Sequence, residues 1–238
     1  MRNAFLLEAL RRAAPPRRSE DQPESDPLDP PEARARRDHL VDVVGYEVRS
    51  PDVLAALRAV PRHRFIPDVD LEEAYGDHPV PIGFGATISQ PTVVGLMSEA
   101  LELRGEERVL EIGSGSGYQA AVLSKLAREV DTVEVVPQLG ERAQRVLSEM
   151  GCTNVRVHVG DGWKGYPPNA PYDRIVVTAA PDVLPPVLVE QLVEGGLLVV
   201  PVGPQSGDQR LERFWKKDGQ LRMEDLGAVR FVPMVHRD

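Results

Sequence analysis

Val109-Leu110-Glu111-Ile112-Gly113-Ser114-Gly115-Ser116-Gly117-Tyr118 is an apolar run that passes straight into three alternate glycines and then into a helical pattern. Glycine at every second position lets the backbone turn sharply and removes the Cβ atoms that would hold a ligand away from the main chain. A strand entering a helix through such a turn opens an α/β unit with a nucleotide-like ligand over the glycines. Any tight strand-to-helix turn favours glycine, so the spacing must discriminate. It is G-x-G-x-G rather than the G-x-G-x-x-G of dinucleotide binders, which argues against NAD.

Three acids sharpen the reading. Glu111 stands two residues before the first glycine, at the strand end that faces the ligand crevice. A carboxylate there repels a pyrophosphate and attracts an ammonium group, such as that on the methionine portion of S-adenosylmethionine. Glu134 ends the next apolar run, Val133-Glu134-Val135, roughly 20 residues on, the interval at which an acid reaches a ribose diol in doubly wound folds. Asp161 lies between Gly160 and Gly162 after the alternating strand Val155-Arg156-Val157-His158-Val159. It is placed either to accept from an adenine amino group or to make an ordinary Asx turn. Each acid singly is an ordinary strand-end or turn residue; together with the glycines they favour S-adenosylmethionine.

Downstream, Ala121, Val122, Leu126 and Val130 form a helical stripe, followed by a strand over Val133–Val136 and a helix with Leu139, Ala143, Val146, Leu147 and Met150 in register, closed by Gly151. An apolar strand over Arg174–Ala180, a helix opened by Pro185-Pro186 that runs through Val187, Leu188 and Leu192, and, after Gly195-Gly196, the run Leu197–Pro201 continue the alternation. Strands alternating with helices imply a parallel sheet, with ligands at the carboxyl ends of its strands. The period then changes: Leu211–Trp215, Asp218-Gly219 and Leu221–Met223 read as a hairpin, and Val229–Pro233 as a last edge strand. The expected fold is a doubly wound, Rossmann-like α/β domain, mostly parallel, with an antiparallel C-terminal hairpin.

Upstream, Ser50-Pro51 opens a helix that Pro61 stops, and His63 reads as a surface or capping histidine. Residues Pro79–Pro91 read as a defined loop leading into a helix through Val93, Val94, Leu96, Met97 and Ala100. Ser89 or Gln90 before Pro91 marks the helix start; local sequence favours the Ser89 hydroxyl as its N-cap, while the position of the loop before the glycine strand keeps Ser89 a functional candidate. Residues 1–38 are rich in proline, arginine and acids and almost free of apolar residues after Leu10. They read as a flexible tail with one short helix over Asn3–Arg12, or as a docking arm. Residues 39–238 form one catalytic domain: helices and substrate loop over 39–104, cofactor core over 105–203, and C-terminal strands over 204–238.

The chain of 238 residues carries 28 basic and 37 acidic residues, a formal charge of −9, a balance that does not concentrate polyanions and argues against nucleic acid. One cysteine, Cys152, excludes an intramolecular disulfide and a cysteine metal cluster, and the histidine spacing offers no zinc site. The apolar run Ala4–Leu7 is broken by Glu8, too short for a signal sequence or a membrane span, so a cytoplasmic location and no membrane partner are expected. A monomer is favoured.

Several runs then coincide with one family. Val60-Pro61-Arg62-His63-Arg64-Phe65, Pro81-Ile82-Gly83, Thr87-Ile88-Ser89-Gln90-Pro91, Val109–Tyr118, Gly160-Asp161-Gly162-Trp163, Tyr172-Asp173, Thr178-Ala179-Ala180-Pro181 and Val229-Arg230-Phe231-Val232-Pro233 resemble the protein-L-isoaspartate O-methyltransferases, in order, over about residues 40 to 235. Thr87–Pro91 and Val229–Pro233 are specific to that family, whereas the glycine loop is shared by many methyltransferases. Ser114 stands where threonine is frequent and keeps the hydroxyl; the first 38 residues have no counterpart. The resemblance implies methyl transfer from S-adenosylmethionine to the free carboxylate of L-isoaspartyl residues, or of D-aspartate, in damaged proteins and peptides. It implies Ser89 as the active-site residue, Thr87 and Ile88 along the peptide site, Glu111, Gly113, Ser114, Gly115 and Gly117 at the methionine portion, Glu134 at the ribose, and Asp161 with Gly162 at the adenine. No metal is implied. Two alternatives are a related methyltransferase dedicated to one peptide and a cofactor-binding protein without catalysis.

Overall fold

In the computed structural model, which describes residues 28–236, prolines decide where most helices begin. The chain runs through α1 (Pro31–Val44), α2 (Pro51–Ala59), α3 (Leu71–Ala74), the hairpin β1 (Val80–Gly83) and β2 (Ala86–Ile88), and α4 (Pro91–Ala100). It continues with β3 (Arg108–Ile112), α5 (Tyr118–Leu123), β4 (Glu129–Glu134), α6 (Pro137–Glu149), β5 (Val155–Val159) and β6 (Tyr172–Val177). The last elements are α7 (Pro186–Glu190), β7 (Leu192–Val202), β8 (Gln209–Lys217) and β9 (Gln220–Val229). The first residue of α1, α2, α4, α6 and α7 is proline. Its φ is already helical, and it brings no N–H that would need a partner. Ser50 caps α2 by accepting from the Val53 N–H. Gly151, at φ +67°, ends α6 as expected, and the bonds from Gly151 N to Ser148 O and from Cys152 N to Leu147 O complete a Schellman motif.

Seven strands form one sheet in the order β5-β4-β3-β6-β7-β8-β9. Pairs from β5 to β7 are parallel; β7–β8 and β8–β9 are antiparallel. The chain winds outward from β3 to β5 and returns to β6, so strand order reverses between β3 and β6. That reversal opens a crevice at the carboxyl ends of these two strands. Alternate residues of the central strands feed two cores. Val109, Val130, Val176 and Val199 pack with helical residues such as Leu57, Met97, Val122 and Leu147. Leu110, Ile112, Val133, Ile175, Val177, Leu198 and Val200 pack with Tyr172 and Leu188.

Several boundaries differ from the sequence reading. Residues 31–38, given to the tail by composition, are helical: Arg37 of α1 is buried and pairs with Asp29 at 2.9 Å through both guanidinium nitrogens. The short helix expected over Asn3–Arg12 lies outside the described residues. His63 is half-buried, and its ring caps no helix. Its Nε2 faces Leu28 O at 3.1 Å and its Nδ1 faces the Tyr75 hydroxyl at 2.7 Å. A carbonyl only accepts, so Nε2 carries the proton and Nδ1 accepts from Tyr75; burial, the largest influence, holds the ring below the usual histidine range. Val130 belongs to β4, which starts earlier and ends earlier than the expected Val133–Val136 strand. The helix after Pro185 stops at Glu190, and Leu192 opens β7, which carries Gly195 and Gly196 within it at an irregular register. The Pro79–Pro91 loop contains the β1–β2 hairpin, turned by Gly83-Phe84-Gly85. The expected edge strand Val229–Pro233 is absent as a strand. Val229 ends β9, and the residues after it cross the sheet end, where Ala180 N donates to Val232 O and Met234 N to Ala180 O, both at 2.8 Å.

On the second face, the buried Asp131 of β4 accepts from His158 Nε2 at 2.8 Å, Asn169 Nδ2 at 3.0 Å and Arg156 Nε at 3.2 Å. Burial by itself would raise this carboxyl, but the three donors outweigh it and hold it below the usual aspartate range. Asp131→Ala should cost about 2 kcal/mol of unfolding free energy, measured in urea at pH 7, because it removes the buried acceptor that the half-buried His158 and Asn169 share. A lowered carboxyl stabilises the fold above its ordinary titration range, so the wild-type advantage should hold down to about pH 4 and be lost only below it, as pH falls through the lowered range of the folded protein.

Candidate active site

Beyond Ile112 the chain must turn back over the sheet. Gly113, Gly115 and Gly117 take φ of +98°, +52° and +88°, values that favour glycine. At Gly113 a second constraint acts: a Cβ would stand 2.5 Å from Thr178 Oγ1. That hydroxyl is committed, donating to Gly113 O at 2.6 Å with Ile112 O at 3.1 Å. From the other side the Glu134 carboxylate accepts from the Gly115 N–H at 2.7 Å and the Val136 N–H at 2.9 Å. Ser114 and Thr132 share a hydroxyl–hydroxyl bond of 2.6 Å.

A cavity of about 330 Å³ lies against this loop. Gly113–Ser116, Val133–Val136, Gly162 and Thr178 line it, together with Phe84–Ser89 from the hairpin and Val232–Val235 from the C-terminal segment. A second cleft of about 420 Å³ is lined by Pro79, Gln90, Val93 and Ala228–Val232. Thr87, Ser89, Thr178 and Val232 line both. Ile88 lines the cavity and not the cleft.

The donor and acceptor set fits the methionine end of S-adenosylmethionine. Glu111 is fully buried, and neither carboxylate oxygen has a hydrogen-bond partner. Burial pushes its carboxyl up to about 8; Thr132 pulls it partly back, and the charge of Glu134 adds to the rise. In the cavity wall the Gln119 amide is oriented by its neighbours. Ser98 Oγ donates to Val94 O at 2.8 Å, so it accepts from Gln119 Nε2, also at 2.8 Å. Gln119 Oε1 is thereby left buried without a donor. Buried acceptors without donors call for a ligand that brings them, as an ammonium group does.

The other expected residues divide. Glu134, Gly113, Ser114, Gly115, Gly162, Thr87, Ile88 and Ser89 converge on the cavity; Glu111, Gly117 and Asp161 do not line it. Asp161 makes the Asx-type turn, accepting from the Trp163 N–H at 3.0 Å, while its other oxygen faces His236 at 3.3 Å. Gly162 answers to packing as well, since a Cβ would stand 2.4 Å from Ile112 Cγ2. Ser89 is not the cap of α4. The N-cap is Gln90, without a side-chain cap bond, and the Thr92 N–H goes to Asp77 at 2.9 Å. Thr178 and Gln119 were not singled out from sequence. Thr178 directly follows β6, while Glu111 stands next to last in β3 and Glu134 ends β4, so its strand-end position was the available signal; Gln119 had none.

Residues 36–238 match the family model of protein-L-isoaspartate(D-aspartate) O-methyltransferase. The chain is similar to a protein-L-isoaspartate O-methyltransferase of Gloeobacter violaceus, 51% identical over 188 residues, 79% of this chain and 92% of the relative. A solved protein-L-isoaspartate O-methyltransferase superposes with a TM-score of 0.77 at 34% identity, over 83% of this chain and 65% of that one. A Plasmodium falciparum methyltransferase solved with S-adenosyl-L-homocysteine gives a TM-score of 0.73 at 24% identity, over 84% of this chain and 98% of that one, a likeness of fold.

The unpartnered Glu111 carries a pH signature. Between its ordinary value of 4.5 and about 8 the folded protein keeps a proton that the unfolded chain has lost. Stability of the ligand-free protein should therefore fall as pH rises across that window, by on the order of a few kcal/mol. Glu111→Gln, neutral throughout, should match the wild-type Tm near pH 5 and exceed it near pH 8. Parallel Tm curves for the two proteins would contradict the assignment.

Proposed function

Because this chain belongs to the protein-L-isoaspartate(D-aspartate) O-methyltransferase family, we propose that cavity and cleft are the cofactor and substrate halves of one carboxyl methyltransferase site, with Ser89 at their junction. The protein is an S-adenosylmethionine-dependent methyltransferase that acts on the free carboxylate of L-isoaspartyl residues in damaged proteins and peptides. The observation that carries the site assignment is that Thr87, Ser89, Thr178 and Val232 line both spaces, which is where a methyl donor and an acceptor must meet.

S-adenosylmethionine, when bound, supplies a methyl group on a positive sulfur, which a carboxylate oxygen displaces to give a methyl ester and S-adenosylhomocysteine. The chain's own residues have a modest task. A carboxylate with a reference pKa near 4 is already ionised at neutral pH, so no general base is needed. What remains is alignment and exclusion of water. Among the described residues Ser89 Oγ makes no hydrogen bond, and it donates to one carboxylate oxygen, leaving the other to react. Gln119 Oε1 in the cavity wall would receive the ammonium, with the buried Glu111 carboxyl acting from outside the lining; Glu134 would hold the ribose hydroxyls and Gly162 the adenine edge, with Asp161 next to it outside the lining. Thr87 and Ile88 flank the reacting carboxylate, Ile88 from the cavity side.

Among the described residues no helix is long and apolar enough to cross a membrane. A monomer suffices because both halves of the site come from one chain.

The first test is transfer of labelled methyl to matched peptides carrying isoaspartate, aspartate or neither. Base-labile label is expected on the isoaspartyl peptide alone; equal label on the aspartyl peptide would refute the substrate assignment. Ser89→Ala should lower kcat by about a hundredfold while S-adenosylhomocysteine affinity stays within about twofold. Equal losses in both would make Ser89 a structural residue.

A further inference from the structure

The residue that caps α4 comes from outside it. The first turn of a helix has N–H groups without intrahelical acceptors, and serine is among the best residues to satisfy them while glutamine is not. Ser89 stands one residue before the N-cap Gln90, yet Asp77, 15 residues before Thr92, serves the helix start. One Asp77 oxygen accepts from the Thr92 N–H at 2.9 Å; the other accepts from Thr92 Oγ1 at 2.8 Å and from Gln90 Nε2 at 2.9 Å. Ser89 Oγ, flanked by these bonds, makes none among the described residues and lines both cavity and cleft.

Asp77 is itself held from below. The fully buried Arg62 donates from Nε to Ala74 O at 3.0 Å and from Nη2 to His78 O at 3.3 Å, gripping the loop on either side of Asp77. Its guanidinium lies 5.0 Å from the ring centroid of Tyr118, the first residue after the glycine loop. Burial lowers Arg62 to about 10, with Tyr118, Asp77 and Tyr75 opposing the fall, so it stays charged at neutral pH. One rigid connection thus runs from the cofactor loop through Arg62 to Asp77 and the start of α4.

We propose that Asp77 is a positioning residue for methyl transfer: by capping α4 from outside the helix it relieves Ser89 of that task and leaves the Ser89 hydroxyl free for the substrate carboxylate. This rests on Ser89 being the hydroxyl that meets the substrate. Without Asp77, Ser89 is the nearest sequence neighbour able to cap the helix, and a hydroxyl turned into the helix is withdrawn from the junction.

The test compares Asp77→Ala, Asp77→Asn, Ser89→Ala and the double variant Asp77→Ala/Ser89→Ala in the full chain, by kcat on an isoaspartyl peptide, S-adenosylhomocysteine affinity and Tm. Asp77→Ala should lower kcat by about tenfold with cofactor affinity within about twofold. Asp77→Asn retains an acceptor for the Thr92 N–H and should recover most of that loss; it also carries the kcat comparison if Asp77→Ala does not fold. Ser89→Ala should leave Tm unchanged in the wild type and lower it by about 3 °C in the Asp77→Ala background, where the hydroxyl has become the cap. Equal Tm effects in both backgrounds, or parallel losses of kcat and cofactor affinity in Asp77→Ala, would overturn the proposal. Wild-type kcat in Ser89→Ala would instead remove the reading of Ser89 itself, and the proposal with it, whatever the Tm values show.

Discussion

Everything at the site depends on one crossing, where the loop after β3 passes the end of β6. Gly113 has a backbone that favours glycine and a neighbour, Thr178, that leaves no room for a Cβ. The Thr178 hydroxyl ties the two strand ends together through Gly113 O and Ile112 O. Because strand order reverses between these strands, helices depart to opposite faces and leave a space above the crossing. The cavity is a consequence of topology, and the glycines keep it open.

Burial then sets the electrostatics. Charges that the fold pairs, such as Asp131 with His158, Asn169, Arg156 and Tyr172, fasten elements together. Near the glycine loop several buried groups are left incomplete: Glu111 with two free oxygens, Gln119 with one, and Arg62 with an unpartnered Nη1 beside Tyr118. An uncompensated buried acceptor weakens the ligand-free fold, and the same deficit becomes affinity when a donor enters. Stability is thus surrendered at the place where binding can restore it.

Much was legible because it is local. The glycine spacing, Glu111, Glu134, the Schellman glycine Gly151 and the Ser50-Pro51 start each depend on residues a few positions apart. Expectations built on local signals faltered where distant partners intervened. Composition consigned residues 31–38 to a tail, but Arg37 finds Asp29 and Tyr75, and these distant partners outweigh a poor apolar count. Val229–Pro233 has strand-like composition, but its N–H and C=O groups are taken by Gln209 and Ala180 rather than by a neighbouring strand. His63, with nothing local to give it a role, joins Tyr75 to Leu28.

By itself the sequence determined the doubly wound fold, the ligand at the strand ends and the residue types that meet it, because periodicity and glycine spacing act along the chain. Only the tertiary structure decided what Ser89 is free to do. From the sequence S-Q-P its hydroxyl is the natural cap of α4; in the fold Asp77, brought in from 15 residues before Thr92, occupies that place. A hydroxyl can be committed to its own helix or held open for a ligand, and which of the two holds depends on an acceptor that no local pattern announces.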